Sequence, residues 1–243
     1  MSPPSLGRRA ASEFVGTALL LATVVGSGIM GERLAGGNVA VALLANTIAT
    51  GAGLVAFILT FGPVSGAHFN PAVTLADASQ GGLPWRDVPV YLIAQVTGAF
   101  AGVAIAHVMF KEPALFFASQ HERSGIAQLV SEFVATFGLL AVIWGVVRRR
   151  PDAVPFAVGA YITAAYWFTS STSFANPAVT LARAASDTFA GIRPVDAPGF
   201  IVAQLFGGAA STALFRWLVP TLPRVAKRVI GRESDVEPGE ELT

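Results

Sequence analysis

Asn70-Pro71-Ala72-Val73-Thr74-Leu75-Ala76 and Asn176-Pro177-Ala178-Val179-Thr180-Leu181-Ala182 are the same seven residues, written twice at a spacing of 106. Asn is a favoured N-cap, and Pro at the first helical position gives up no hydrogen bond and brings its φ preset. Each copy therefore opens a helix. Apolar character continues only to about 80 and 186, roughly ten residues or about 15 Å, which is half of a ~30 Å hydrocarbon core. The spacing predicts two half-helices, 70–80 and 176–186.

The surrounding chain is of membrane type. Of its 243 residues 53% are hydrophobic and 13% charged, which excludes an ordinary soluble single-core domain. The net charge of +1 points to no nucleic-acid partner. The absence of cysteine removes disulfides, thiolate metal sites and cysteine nucleophiles. Segments of spanning length fall at roughly 11–30, 39–61, 88–110, 128–147, 153–169 and 198–219. The first, although preceded by Arg8 and Arg9, is too long for a signal peptide and reads as a retained helix.

Two further landmarks repeat. Glu13-Phe14-Val15-Gly16-Thr17 is echoed by Glu132-Phe133-Val134-Ala135-Thr136, and YLIAQVTGAFAG from Tyr91 by FIVAQLFGGAAS from Phe200, aligning Gln95 with Gln204 and Gly98/Gly102 with Gly207/Ser211. Three landmarks in one order imply an internal duplication, each copy being two spans, a half-helix and a third span. An odd number of spans inverts the second copy relative to the first. The expected division is an N-terminus 1–9, repeat 10–110, a loop 111–127, repeat 128–220 and a tail 221–243. Lys and Arg concentrate at the termini, at Arg86 and at Arg148-Arg149-Arg150, which by the positive-inside rule makes both termini cytoplasmic. The small residues at Gly98, Gly102, Gly207 and Ser211 read as close helix crossings.

Entering from opposite faces, the half-helices would bring Asn70 and Asn176 together near the midplane. Non-helical backbone is tolerated there only against protein or water, so a wet path is implied. Two positive helix ends and two amides at its centre repel cations and let a neutral hydroxylated molecule exchange hydrogen bonds.

Six spans, inverted repeats, a Glu near the start of each repeat, SGAHFNPAVT and a second Asn-Pro-Ala together resemble the major intrinsic protein family, the aquaporins and aquaglyceroporins, over about residues 10 to 220. The resemblance implies an all-α channel for small uncharged solutes, without cofactor or metal and not an enzyme, assembled as a homotetramer in the plasma membrane. It assigns the pore centre to Asn70, Pro71, Ala72, Asn176, Pro177 and Ala178. Most members carry an Arg after the second Asn-Pro-Ala; here Val179 stands there, and counting from the two Asn places the other constriction residues on Thr50, Ala164 and Ser173. With no guanidinium and no aromatic partner, a wide filter is expected. Glycerol facilitators also carry an Asp where this chain has Thr180. A Val in that place resembles a bacterial branch associated with arsenic resistance, which conducts neutral metalloid acids such as arsenite. A narrow water-selective channel, an inverted-repeat secondary transporter and a non-conducting structural protein are the alternatives.

Glu13 and Glu132 are expected to brace the re-entrant loops, since no complementary cation in the spans makes them a proton relay. His68 has the same expectation, with a pore-facing role as its rival. His107 reads as packed and His121 as a loop residue, with no ligand spacing among the histidines. Asp77 and Arg183 hold the same place in the two repeats and read as solvated charges; the rival reading puts Arg183, one turn beyond Val179 on the same helix face, at the outer mouth.

Overall fold

The computed structural model describes residues 4–222, so the expected tail from 223 on, with its Arg224, Lys227, Arg228 and Arg232, lies outside the described residues. Among the described residues eight α-helices follow one another: α1 (Leu6–Leu34), α2 (Val39–Ser65), α3 (Pro71–Ser79), α4 (Val88–Phe110), α5 (Ile126–Val147), α6 (Val154–Phe168), α7 (Pro177–Arg183) and α8 (Ala197–Leu218). Five of these, α1, α2, α4, α5 and α8, are long and apolar enough to cross a membrane. The sixth expected span, α6, has 15 residues, about 22 Å. A 3-10 turn at Pro151–Ala153 extends it at one end, and at the other Thr169 takes extended backbone and stops it.

The two short helices are capped as their sequence dictates. The Asn70 side chain accepts from Ala72 N, that of Asn176 from Ala178 N and Val179 N, and Pro follows each cap. The second is shorter than expected, ending at Arg183 rather than 186. Its last turn tightens, with Ala184 N donating to Leu181 O, Ala185 N to Ala182 O and Ser186 N to Arg183 O.

The packing repeats with the sequence. Helix α1 packs on α4 and α2, α5 packs on α8 and α6, α2 meets α6, and α3 meets α7 at the pseudo-symmetric centre. Small residues set these approaches. A Cβ on Gly98 would strike the Phe14 carbonyl and one on Gly207 the Phe133 carbonyl, equivalent positions of the two repeats. Between α2 and α6, Gly159 lies so close to Gly51 that a Cβ would sit 2.8 Å from its carbonyl oxygen. The outer helix surfaces carry Ile48, Ile93, Val108, Val130 and Phe206 exposed, which suits lipid rather than water. Trp85 and Trp217 at one end and Trp167 at the other are also exposed, as interfacial aromatics are.

At the N-terminal face a buried ion pair, Arg9 Nη2 to Asp87 Oδ2 at 2.8 Å, ties the start of α1 to the turn before α4. At the opposite face the 111–125 loop pairs with the stretch after α7 through Phe117 N to Ala185 O and Ser119 N to Ala184 O. His107 is buried, as its reading required, with ring nitrogens 2.8 Å from Leu115 O and 2.8 Å from Ser186 Oγ.

Because Gly207 sits against backbone, Gly207→Val should lower stability by about 1–3 kcal/mol, seen as a fall in the thermal midpoint of the detergent-solubilised protein. A Gly7→Ala control, where a Cβ meets nothing within 4 Å, should leave the midpoint unchanged or raise it. Equal behaviour of the two variants would remove the close-crossing argument.

Candidate functional site

The stretches leading into α3 and α7 take the same backbone path. Gly66, Ala67 and Phe69 have φ of 87°, 48° and 50°; Thr172, Ser173 and Ala175, their equivalents 106 residues on, have 61°, 52° and 49°. Left-handed backbone at a residue other than Gly costs of order 1–3 kcal/mol and survives only where surroundings enforce it. The enforcing groups are visible. Glu13 accepts from His68 N (3.0 Å), Phe69 N (2.7 Å), Ser65 Oγ (2.6 Å) and Gln95 Nε2 (2.8 Å). Glu132 accepts from Phe174 N (2.9 Å), Ala175 N (2.9 Å) and Gln204 Nε2 (2.6 Å). Each Gln then reaches a half-helix, Gln95 to Thr74 Oγ1 and Gln204 to Thr180 Oγ1, both at 2.8 Å. Ser65 and Ser171 hydroxyls each accept from the backbone N–H two residues on.

These loops deliver the two caps to each other. Asn70 Nδ2 donates to Ala175 O and Asn176 Nδ2 to Phe69 O, each at 2.7 Å. The amides thus cap their own helix with oxygen and hold the opposite loop with nitrogen. A cavity of about 410 Å³ passes them. Its lining runs from Pro151 and Asp152 at the N-terminal face, past Asn70 and Asn176, to Thr50, Tyr166 and Arg183 toward the other face. One wall is loop backbone and polar side chains; the other is aliphatic, with Leu20, Val24, Leu54, Leu139 and Ile143.

Of the four expected constriction residues, Thr50, Ser173 and Val179 line this cavity and Ala164 does not; Ala164 is exposed on the far side of α6. The inward residues are Ile162 and Tyr166, four apart and so on one helix face, with Ala164 about 200° away from either. Its placement by counting back from Asn176 fails because the irregular stretch 169–175 sets the register. The expected lack of an aromatic and of a guanidinium is corrected with it. Tyr166 lines the cavity with its hydroxyl donating to Thr50 Oγ1 at 3.3 Å. Arg183 lines it as well. It lies four residues beyond Val179, on the same face of α7, and lines the same cavity as Val179 does.

The solvated reading of Asp77 and Arg183 is likewise overturned, since each is 2% exposed. Asp77 lies in the other half of the cavity, 3.7 Å from His68 Nε2. His68 combines the two roles weighed for it: its N–H is held by Glu13, and its ring, with Nδ1 3.1 Å from Thr74 Oγ1, lines the cavity. Arg183 donates from Nε to Ala190 O, and its Cζ lies 3.3 Å from the Phe174 ring centroid. On that same ring is Arg123, from the 111–125 loop, at 5.0 Å. Burial lowers the Arg123 pKa to about 10, which leaves it charged at neutral pH. Nothing in the sequence singled out Arg123 or Tyr166. Among the described residues no group of three His, Asp or Glu could hold a metal.

A family model described as "Major intrinsic protein" matches residues 1–171. The chain belongs to the major intrinsic protein family. It is 57% identical over 214 residues to a protein named "Aquaglyceroporin AqpS" from Rhizobium meliloti (strain 1021), covering 88% of this chain and 91% of the relative. It is 34% identical over 197 residues to "Aquaporin NIP2-3" of Zea mays, covering 78% and 64%. Its fold matches the X-ray structure of the aquaglyceroporin from Plasmodium falciparum with a TM-score of 0.69 at 22% identity, over 90% of this chain and 99% of the other. The chain is accordingly an integral multi-pass membrane protein with the aquaporin fold, in a family of passive channels rather than enzymes.

Glu132→Gln replaces an acceptor of three donors with an amide that must itself donate. It should destabilise the protein by about 1.5–3 kcal/mol or more and reduce solute flux, while Glu132→Asp retains part of both. Thermal unfolding in detergent and vesicle uptake check this; a Gln variant with parental stability and flux would end the bracing account.

Proposed function

We propose that this family member is a passive channel for small uncharged solutes: water, glycerol-like polyols and neutral metalloid acids such as arsenite. The observation that carries the reading is the pair of Asn amides set at facing half-helix ends beside one continuous cavity. The aliphatic wall suits a carbon skeleton and the polar wall its hydroxyls. Two helix N-termini, each equivalent to about +0.5 charge, oppose cations at the centre. Thr50, Ser173 and Val179 make the constriction together with Tyr166 and Arg183. Val179 supports a filter wide enough for solutes beyond water, and the relative named an aquaglyceroporin supports glycerol. Both termini are placed in the cytoplasm, on the Lys and Arg distribution, in a plasma-membrane homotetramer.

The test is light scattering of reconstituted vesicles under water, glycerol and arsenite gradients. Uptake should be passive, proportional to the gradient and indifferent to ion gradients; an absolute requirement for a sodium or proton gradient overturns the channel reading. Val179→Arg should lower the ratio of glycerol to water permeability, because a guanidinium fills the space that the Val leaves. An unchanged ratio places selectivity elsewhere. Asn176→Asp puts a carboxylate between the two positive helix ends and should raise cation leak, read as conductance in oocytes.

A further inference from the structure

Among the described residues Arg183 is a cation without an ion partner. It is 2% exposed and lines the cavity, yet among the described residues no carboxylate comes within ion-pair distance of it. Among the described residues its side chain makes one hydrogen bond to the protein, from Nε to Ala190 O. Buried charges in proteins are normally paired. Here Phe174 offers its ring face and the C-terminal end of α7 about half a negative charge. Neither takes the Nη donors, which remain for whatever occupies the cavity.

A second guanidinium stands behind the same ring. Arg123 donates from Nε to Gly191 O at 2.8 Å and from Nη1 to Ser171 O at 3.2 Å; its backbone N–H donates to Asp196 Oδ2, but among the described residues its guanidinium has no carboxylate within ion-pair distance. Two like charges on one aromatic ring repel each other; the carboxylate of Glu132, which accepts from Phe174 N, reaches both of them only at a distance, and an anion in the cavity would join them directly. Nearby, the Ser173 hydroxyl is buried without a hydrogen-bond partner and also lines the cavity.

We infer that the constriction is a binding site for small, singly charged oxyanions, gripped by Arg183 and Ser173, with Arg123 positioning Arg183 through Phe174. This rests on the channel reading above. An oxyanion offers the guanidinium two oxygens at once, in the forked geometry that a spherical halide lacks. It goes no further, because the aliphatic wall replaces none of its hydration and Asp77 lies beyond the Asn pair. A bound oxyanion therefore competes with neutral solutes at the mouth and slows their passage.

The probe is inorganic phosphate, at a pH where it is mostly singly charged. Glycerol uptake by vesicles holding the full chain is measured while phosphate replaces chloride at constant ionic strength. Phosphate should inhibit saturably and chloride should not. Equal inhibition by both salts, or none by phosphate, overturns the proposal. Arg183→Gln should weaken the apparent phosphate affinity roughly tenfold or more, and Arg183→Lys should recover part of it. Arg123→Gln should weaken it less while shifting the glycerol-to-water ratio, which a residue holding only its own loop would leave alone. Should the parent carry neither water nor glycerol, the channel reading fails, and calorimetric titration of phosphate into the solubilised protein still decides this one: heat of binding absent from Arg183→Gln supports it, and no heat in the parent sinks it.

Discussion

Two carboxylates kept away from water hold the centre of this molecule. Glu13 and Glu132 accept the N–H groups of loops whose backbone turns left-handed at Ala67, Phe69, Ser173 and Ala175, a path that those residues do not take unassisted. The two needs are complementary. A buried carboxylate without donors and a strained loop without acceptors would each be costly, and together each removes the other's penalty. Once the loops are fixed, the half-helices have one place to begin, and the Asn pair and the cavity wall follow.

The frame is duplicated while its charges are not. Asp77 and Arg183 occupy one backbone position in the two repeats and both face the cavity, so the symmetric scaffold carries a carboxylate in one half and a guanidinium in the other. The same holds of His68 and Phe174, one presenting an imidazole to the cavity and the other a ring to two arginines. Pseudo-symmetry governs what must be rigid, the loops and the crossings. Divergence is concentrated in side chains that face the lumen.

Local signals explain what the sequence made legible. Asn-Pro marks a helix start by capping chemistry that needs no tertiary information, and Gly98 against Phe14 repeats as Gly207 against Phe133 because a close crossing tolerates so few residues. The Glu residues could be read by elimination, as charges with no cation to answer them. The sequence hides a position wherever it depends on an irregular stretch. The passage from Phe168 to Asn176 hides the rotation of α6, so counting from Asn176 points to Ala164 while Tyr166 lines the cavity. Arg183 looked solvated because a charge at a helix end usually is, and its burial becomes visible only once Phe174 and the Ala190 carbonyl are in place. Arg123 lies in a loop with no periodicity, and nothing short of the fold announces its contact with the second half.

The paired bonds from Asn70 to Ala175 O and from Asn176 to Phe69 O have a consequence for biosynthesis. Each amide satisfies a carbonyl in the other repeat, so the half made first enters the bilayer with Phe69 O unanswered and an Asn70 donor idle. Neither can be matched until more than a hundred further residues have been made. The first re-entrant loop therefore has to remain shallow or hydrated during synthesis, and its final descent is coupled to arrival of the second. The pore cannot close before the second repeat is made, and an isolated first repeat would leave a defect that the surrounding lipid has no group to repair.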